Sequence, residues 1–185
     1  IEIIEEGNEE KIIMISYATN KGKKKVFAIK ESGLSFVKSF KDEKEMIQEF
    51  FAEIASIDPD IICTYNGDAF DFVKLKERCE KLKIKMSVGR NGVVKFERRG
   101  RSSAASIKGR VHIDLFNFVD HILSPSMKTE VLTLDEVAQE LLGEGKIKLK
   151  WQEMKDAWKK KDVERIAEYC LKDSELTLAL AEYLL

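Results

Sequence analysis

The feature that most limits the folds open to this chain is a change of hydrophobic period partway along it. Up to about residue 30 the apolar residues come in short, β-branched runs: Ile1-Glu2-Ile3-Ile4, Lys11 to Ala18 and Lys25 to Ile29. An acidic Gly-Asn turn separates the first two, so the pattern predicts a meander of strands. From Asp42 onward the spacing becomes helical, with Met46, Ile47, Phe50, Phe51 and Ile54 on one stripe and Asp42 and Glu45 as a capping box. Pro59 closes that region, and Ile61-Ile62-Cys63-Thr64 has the wholly apolar pattern of a buried strand. A second helix is predicted from about Ala69 to Leu82. The β-type runs over 86–113 surround Asn91-Gly92, a strong hairpin-turn signal. Helical patterns follow at about 115–123, 134–142, 151–160 and 163–184. Strands that lead, helices that follow and one strand-helix-strand unit between them predict an α/β or α+β sheet covered by helices.

Composition narrows the class of protein. The 185 residues suffice for one domain with a core that needs no covalent staples. No internal repeat or Pro/Gly-rich linker divides them, and a single domain over 1–185 is expected. The odd number of cysteines, Cys63, Cys79 and Cys170, and the lack of a C-x-x-C predict reduced, mostly buried thiols. No apolar run approaches the roughly 18 residues of a membrane span and no signal-peptide pattern opens the chain, so a cytoplasmic protein without a membrane partner is expected. The first methionine is Met14 and the chain opens inside an apolar run, which reads as a fragment of something longer.

Thirty-two basic residues against 33 acidic ones exclude a uniformly basic nucleic-acid coat, but charge is unevenly placed. Residues 90–110 carry Arg90, Lys95, Arg98, Arg99, Arg101, Lys108 and Arg110 against the single acid Glu97. With Phe96 inside and Asn91-Gly92 at the turn, this predicts a basic β-hairpin able to lie along phosphates through Arg98, Arg99 and Arg101. A solvated hairpin whose charges only prevent edge pairing fits the same residues. The lysines from Lys146 to Lys161 repeat at helical spacing and read as a solvated face.

Four acids are candidates, three of them where a strand ends or breaks pattern, and ligands of α/β sheets collect outside the carboxyl ends of strands. Asp71 follows the strand Ile61–Thr64 through an Asn-Gly-Asp turn; its plainer reading is a helix start that Asp68 caps. Tyr169 and Asp173 lie four residues apart in a helix, about 40° apart on one face. Glu2 interrupts an apolar strand, and Asp114 follows Val111-His112-Ile113, where a helix cap is the expected role. Carboxylates without a His/Cys ligand cluster suit Mg²⁺ or Mn²⁺ rather than zinc. Two such ions about 3.5–4 Å apart support phosphodiester hydrolysis, with a tyrosine hydroxyl placed to position the water.

Taken together these residues resemble the exonuclease domain of archaeal-type family B DNA polymerases. Tyr65-Asn66-Gly67-Asp68-Ala69-Phe70-Asp71-Phe72 looks like the second exonuclease motif, Tyr169-x-x-x-Asp173 the third, and Ile1-Glu2 the end of the first, Asp-x-Glu. Ile12 to Ala18, Asp58 to Ile62 and Lys108 to Leu115 extend the similarity. The resemblance implies an RNase H-like mixed sheet flanked by helices, with an added basic β-hairpin, and a 3′→5′ proofreading site for two Mg²⁺ or Mn²⁺ ions. Glu2, Asp71 and Asp173 would be the metal-binding carboxylates, Tyr169 would orient the attacking water, and Asn66 and Phe70 would hold the terminal nucleotides. The implied partners are a single-stranded 3′ end of DNA and the remaining domains or subunits of the parent polymerase, at the nucleoid. The Asp of Asp-x-Glu would stand just before Ile1, so this chain by itself is expected to be feeble or inactive and, lacking palm and fingers, not to polymerise. A freestanding exonuclease and a non-catalytic DNA-binding or interaction module are the alternatives.

Overall fold

The computed structural model describes residues 1–7, 9–92, 94–99, 102–145 and 149–185, with Arg98, Arg99, Ser102 and Ser103 described by their backbone alone. The meander is present: β1 (Glu2–Glu6), β2 (Glu9–Ala18) and β3 (Lys24–Ala28) pair antiparallel, and β4 (Val37–Ser39) adds to β3 in parallel, making a mixed sheet. Both of its faces are covered. Ile12, Ile15, Tyr17 and Phe27 pack against α1 (Glu43–Ile57) and α2 (Asp71–Leu82). Ile13, Met14, Val26 and Ala28 pack on the opposite face against α5 (Trp151–Lys159) and α6 (Val163–Leu184). A third cluster joins α3 (Leu115–Phe118) and α4 (Leu134–Leu142) to the second half of α6 through Val119, Val137, Leu176 and Leu180. Helices on both faces explain why β2 is apolar without a break from Ile12 to Ile15.

The helix that begins at Asp42 forms as its pattern predicts, although its cap departs from a reciprocal box. Asp42 accepts from the Glu45 N–H at 2.8 Å, but the Glu45 carboxylate reaches past Asp42 to accept from the Lys41 N–H at 3.2 Å. A buried ion pair fixes α1 and α2 to the sheet. Arg78 of α2 donates to Glu43 of α1 from Nε at 2.8 Å and from Nη2 at 2.6 Å, and Glu43 also accepts the Ile12 N–H of β2 at 2.8 Å.

Two expectations about strands need correction. β5 (Ile61–Thr64) is not buried: Ile61 is 52% exposed, and its parallel partner Val111 in β8 (Val111–Asp114) is 55% exposed. An apolar tetrapeptide carries no record of which face its sheet leaves open. The hairpin of residues 90–110 exists, as β6 (Val94–Arg99) paired antiparallel with β7 (Ser102–Ile107), but Asn91-Gly92 is not its turn. The ladder runs from Val94↔Ile107 to Arg99↔Ser102, so Asn91-Gly92 precedes it rather than closing it. Asn91-Gly92 makes a separate turn before β6, with Gly92 at φ 66° and its N–H donated to Gly89 O at 2.9 Å.

Candidate functional site

The acids predicted to hold metal lie on three elements. At the start of β1 the ladder slips: Glu2 faces Met14 whereas Ile3 faces Ile12, which leaves Ile13 as an unpaired bulge residue. Directly opposed residues share a face, so Glu2 sits with Met14 on the side that α6 covers, and it is buried there. Asp71 opens α2 behind the opposite face and accepts from the Ile1 ammonium at 2.9 Å, bringing the start of β1 onto the start of α2. From α6, Tyr169 and Cys170 are buried against the same part of the sheet, and Asp173 follows one turn later. The helix is pinned there by Ser16 of β2, whose hydroxyl donates to Cys170 O at 2.7 Å and lies 2.6 Å from the Ser174 hydroxyl.

Electrostatics show that these groups share one environment. Burial alone would lower the Ile1 ammonium, but Asp71, Cys170 and Glu2 outweigh it and raise its pKa from 8.0 to about 11. The Cys170 thiol is pushed up to about 12, first by burial and then by Glu2, with a further contribution from Asp173. A buried pocket that raises an amine in spite of desolvation is a pocket that favours a positive charge. Its carboxylate oxygens are the donors hard divalent ions prefer. Among the described residues, however, no three His, Cys, Asp or Glu side chains stand close enough together to hold a metal ion.

A second acid cluster lies at the carboxyl ends of β5 and β8, where loop 65–70 runs between β5 and α2. Asp114 caps α3 as expected, accepting the Phe116 N–H at 3.1 Å, and it also takes the N–H groups of Asn66 at 2.8 Å and Asp68 at 2.9 Å. Burial raises its pKa, while those backbone donors pull the other way. The loop needs this support. Asn66 adopts a left-handed φ of 63°, and a Cβ on Gly67 would collide with the Thr64 side chain. Asp68 does not cap α2, contrary to the plainer reading of the sequence. The N-cap of α2 is Phe70, which makes no side-chain cap bond, and Asp68 turns inward to accept the Ala105 N–H at 2.6 Å and Asn117 Nδ2 at 3.1 Å. Sequence reasoning missed this role, since a partner 37 residues away leaves no local signal.

Beside Asn66 lies a cavity of about 580 Å³, lined by Tyr65, Asn66, Phe116, Leu132, Thr133 and Leu134 among others. Tyr65 and Phe116 meet edge to face at 5.8 Å, and the Tyr65 hydroxyl donates to Leu132 O at 2.6 Å. Of the basic strip, Arg90 and Arg110 are committed elsewhere. Arg90 donates to Asp58 at 2.8 Å and to Asp60 at 2.7 Å, and Arg110 donates to Asp58 at 2.9 Å. Lys95 and Lys108 are exposed. Arg98 and Arg99 belong to β6 without described side chains, and Arg101, like Lys146 and Lys148, lies outside the described residues. The described lysines of the later cluster are mostly exposed, with Lys155 held by Glu5 at 3.0 Å. No helix among the described residues is long and apolar enough to cross a membrane.

A mixed α/β sheet covered by helices on both faces is the architecture of an RNase H-like domain. The chain belongs to DNA polymerase family B, as its exonuclease domain: the model of that domain matches residues 3–137. It is 40% identical over 171 residues to a DNA polymerase of Pyrococcus glycovorans, covering 91% of this chain and 21% of that protein. It is also 40% identical over 180 residues to DNA polymerase 1 of Pyrococcus abyssi, covering 96% and 23%. The chain therefore spans less than a quarter of the length of these curated relatives. Among solved structures, the family B DNA polymerase of the hyperthermophilic archaeon Pyrobaculum calidifontis superposes with a TM-score of 0.79 at 28% identity, over 95% of this chain and 22% of that one.

Proposed function

We propose that this domain hydrolyses the 3′-terminal phosphodiester of single-stranded DNA, as the 3′→5′ proofreading exonuclease of its parent polymerase. The observation that carries this reading is the contact between the start of β1, where buried Glu2 stands, and the start of α2, where Asp71 lies 2.9 Å from the Ile1 nitrogen. Glu2, Asp71 and Asp173 would hold Mg²⁺ or Mn²⁺, two ions in all. Bound there, such ions stabilise charge on the phosphodiester and make a water nucleophilic at neutral pH. Tyr169, one turn from Asp173 on the same helix, orients that water. Asn66 and Phe70 bracket the loop between the acid cluster and the Tyr65/Phe116 cavity, whose size and aromatic edges suit the terminal nucleotide. Exposed Lys95 and Lys108 offer positive charge to the preceding phosphates, and Arg98, Arg99 and Arg101 remain candidates from the sequence. A single domain over residues 1–185 acts on DNA here beside the remaining domains of the polymerase.

The test compares this chain with the same chain preceded by one aspartate, which completes Asp-x-Glu and converts the Ile1 ammonium to an amide. The extended chain should shorten 3′-labelled single-stranded DNA in Mn²⁺ in a single turnover, the chain as it stands far more slowly, and Asp71→Ala not at all. Cleavage that survives Asp71→Ala refutes the assignment. The absence of any chelating trio among the described residues favours a second reading, a DNA-binding module without catalysis. Calorimetry with no Mn²⁺ uptake by the extended chain would select it.

A further inference from the structure

We propose that Asp68 is a positioning residue that clasps the basic hairpin to the loop carrying Asn66 and Asp71, so that the strand held by the hairpin and the acid cluster keep one alignment. The proposal rests on the exonuclease reading for its consequence, but the clasp itself stands on geometry.

β7 shares a ladder only with β6, among the described residues, so its other edge presents N–H and C=O groups that need partners. At Ala105, paired with Phe96, both are taken by side chains. The N–H goes to Asp68 Oδ1 at 2.6 Å, and the carbonyl lies 2.9 Å from His112 Nδ1. A carbonyl can only accept, so Nδ1 carries a proton; Nε2 faces the Thr64 hydroxyl at 2.9 Å. Ala105 is buried, so neither group can turn to water when a partner is lost.

From this residue two links lead to the site. Through Asp68, whose own N–H is held by Asp114 at 2.9 Å, the clasp reaches Asn66, held by the same carboxylate. Through His112, whose ring packs edge-on against Phe72 at 4.7 Å, it reaches the first turn of α2 next to Asp71. Neither Asp68 nor His112 touches the acid cluster in any contact described above. Their effect is to prevent β7 from sliding along the loop.

Two substitutions separate positioning from bulk stability. Asp68→Ala removes the acceptor, whereas Asp68→Asn keeps an oxygen for the Ala105 N–H and can meet Asn117 by a flip of that amide. Hydrogen exchange of the folded, aspartate-extended chain should show faster exchange of the Ala105 amide and of 66–71 in Asp68→Ala, with near-normal protection in Asp68→Asn. Binding of a fluorescent oligothymidylate in Ca²⁺ should weaken about tenfold in Asp68→Ala and recover in Asp68→Asn, the scale of outer-layer positioning residues. Lys95→Ala should weaken binding in the parent background and have little further effect on Asp68→Ala, because an unclasped hairpin no longer presents Lys95 to the strand. Unchanged exchange over 66–71 in Asp68→Ala, or an equal Lys95→Ala penalty in both backgrounds, overturns the proposal. If the extended chain binds DNA but does not cut it, the exonuclease reading fails while exchange and the binding cycle still decide the clasp.

Discussion

Asp68, on the loop before α2, and Asp71, the first residue of α2, are three residues apart and have different partners. Asp68 belongs with Asp114 to a cluster whose oxygens are filled by protein donors: the N–H groups of Asn66, Asp68, Ala105 and Phe116 and the Asn117 amide. Asp71 belongs with Glu2 to a cluster where a whole positive charge, the Ile1 ammonium, sits against the acid. Backbone donors are fixed in place and cannot leave, so a carboxylate satisfied by them holds structure. A carboxylate paired with a terminal ammonium loses that charge once a residue precedes Ile1. Residue type is the same in the two clusters, but Asp68 and Asp114 are buried whereas Asp71 is a quarter exposed, and their partners differ in kind.

The strongest way to break this contrast is Asp114→Ala, which strands the buried N–H of Asp68 and the partly buried N–H of Asn66. Urea unfolding should show a loss of roughly 3 kcal/mol or more, since each buried donor left unsatisfied costs about 1–3 kcal/mol. A loss within ordinary surface values would remove the structural label from that cluster. Asp71→Asn in the aspartate-extended chain should do the reverse. Hydrolysis of single-stranded DNA falls roughly 100-fold or more, while unfolding free energy changes by less than about 1 kcal/mol.

The ammonium supplies a test in pH. Its pKa is raised by folding, from 8.0 to about 11, so its stabilisation is complete below pH 8 and is lost as pH rises through 11. Acetylating Ile1 should lower stability at pH 7 and flatten that alkaline slope relative to the free chain. Equal slopes would mean that the pocket does not favour a cation. The smallest effect is at Cys170, whose thiol stands at about 12 through burial, Glu2 and Asp173. At pH 8 only about 10⁻⁴ of it is thiolate, so alkylation of the folded chain, followed on the Cys170 peptide by mass, should be very slow. Mn²⁺ should speed it a few-fold by neutralising the acids nearby; no change would place the ion elsewhere.

Much of this was legible in the sequence because periodicity is a local property. The helices of 43–57 and 163–184 and the opening meander follow from spacing, since a stripe at 3.6 residues or a β-branched run has one way to bury itself. The second motif was legible too, because left-handed Asn66 and crowded Gly67 leave few substitutes at those positions. The exposed edge of β5 and the true turn of the hairpin were not. Asn91-Gly92 is an excellent turn wherever it stands, and only the register of β6 on β7, from Val94↔Ile107 to Arg99↔Ser102, puts it ahead of the hairpin. Likewise Arg90 and Arg110 look like phosphate ligands until Asp58 and Asp60 are found beside them.

The order of strands and helices and the family were therefore determined by the chain alone. Which acids face a cation and which face N–H groups was decided by the fold, through a bulge at Ile13, the docking of α6 on Ser16 and the closing of β7 against Asp68. Hydrophobic period is set by neighbours three or four residues away. The partner of a buried charge is set by whatever distant segment packing brings within about 3 Å, a relation that no stretch of sequence contains.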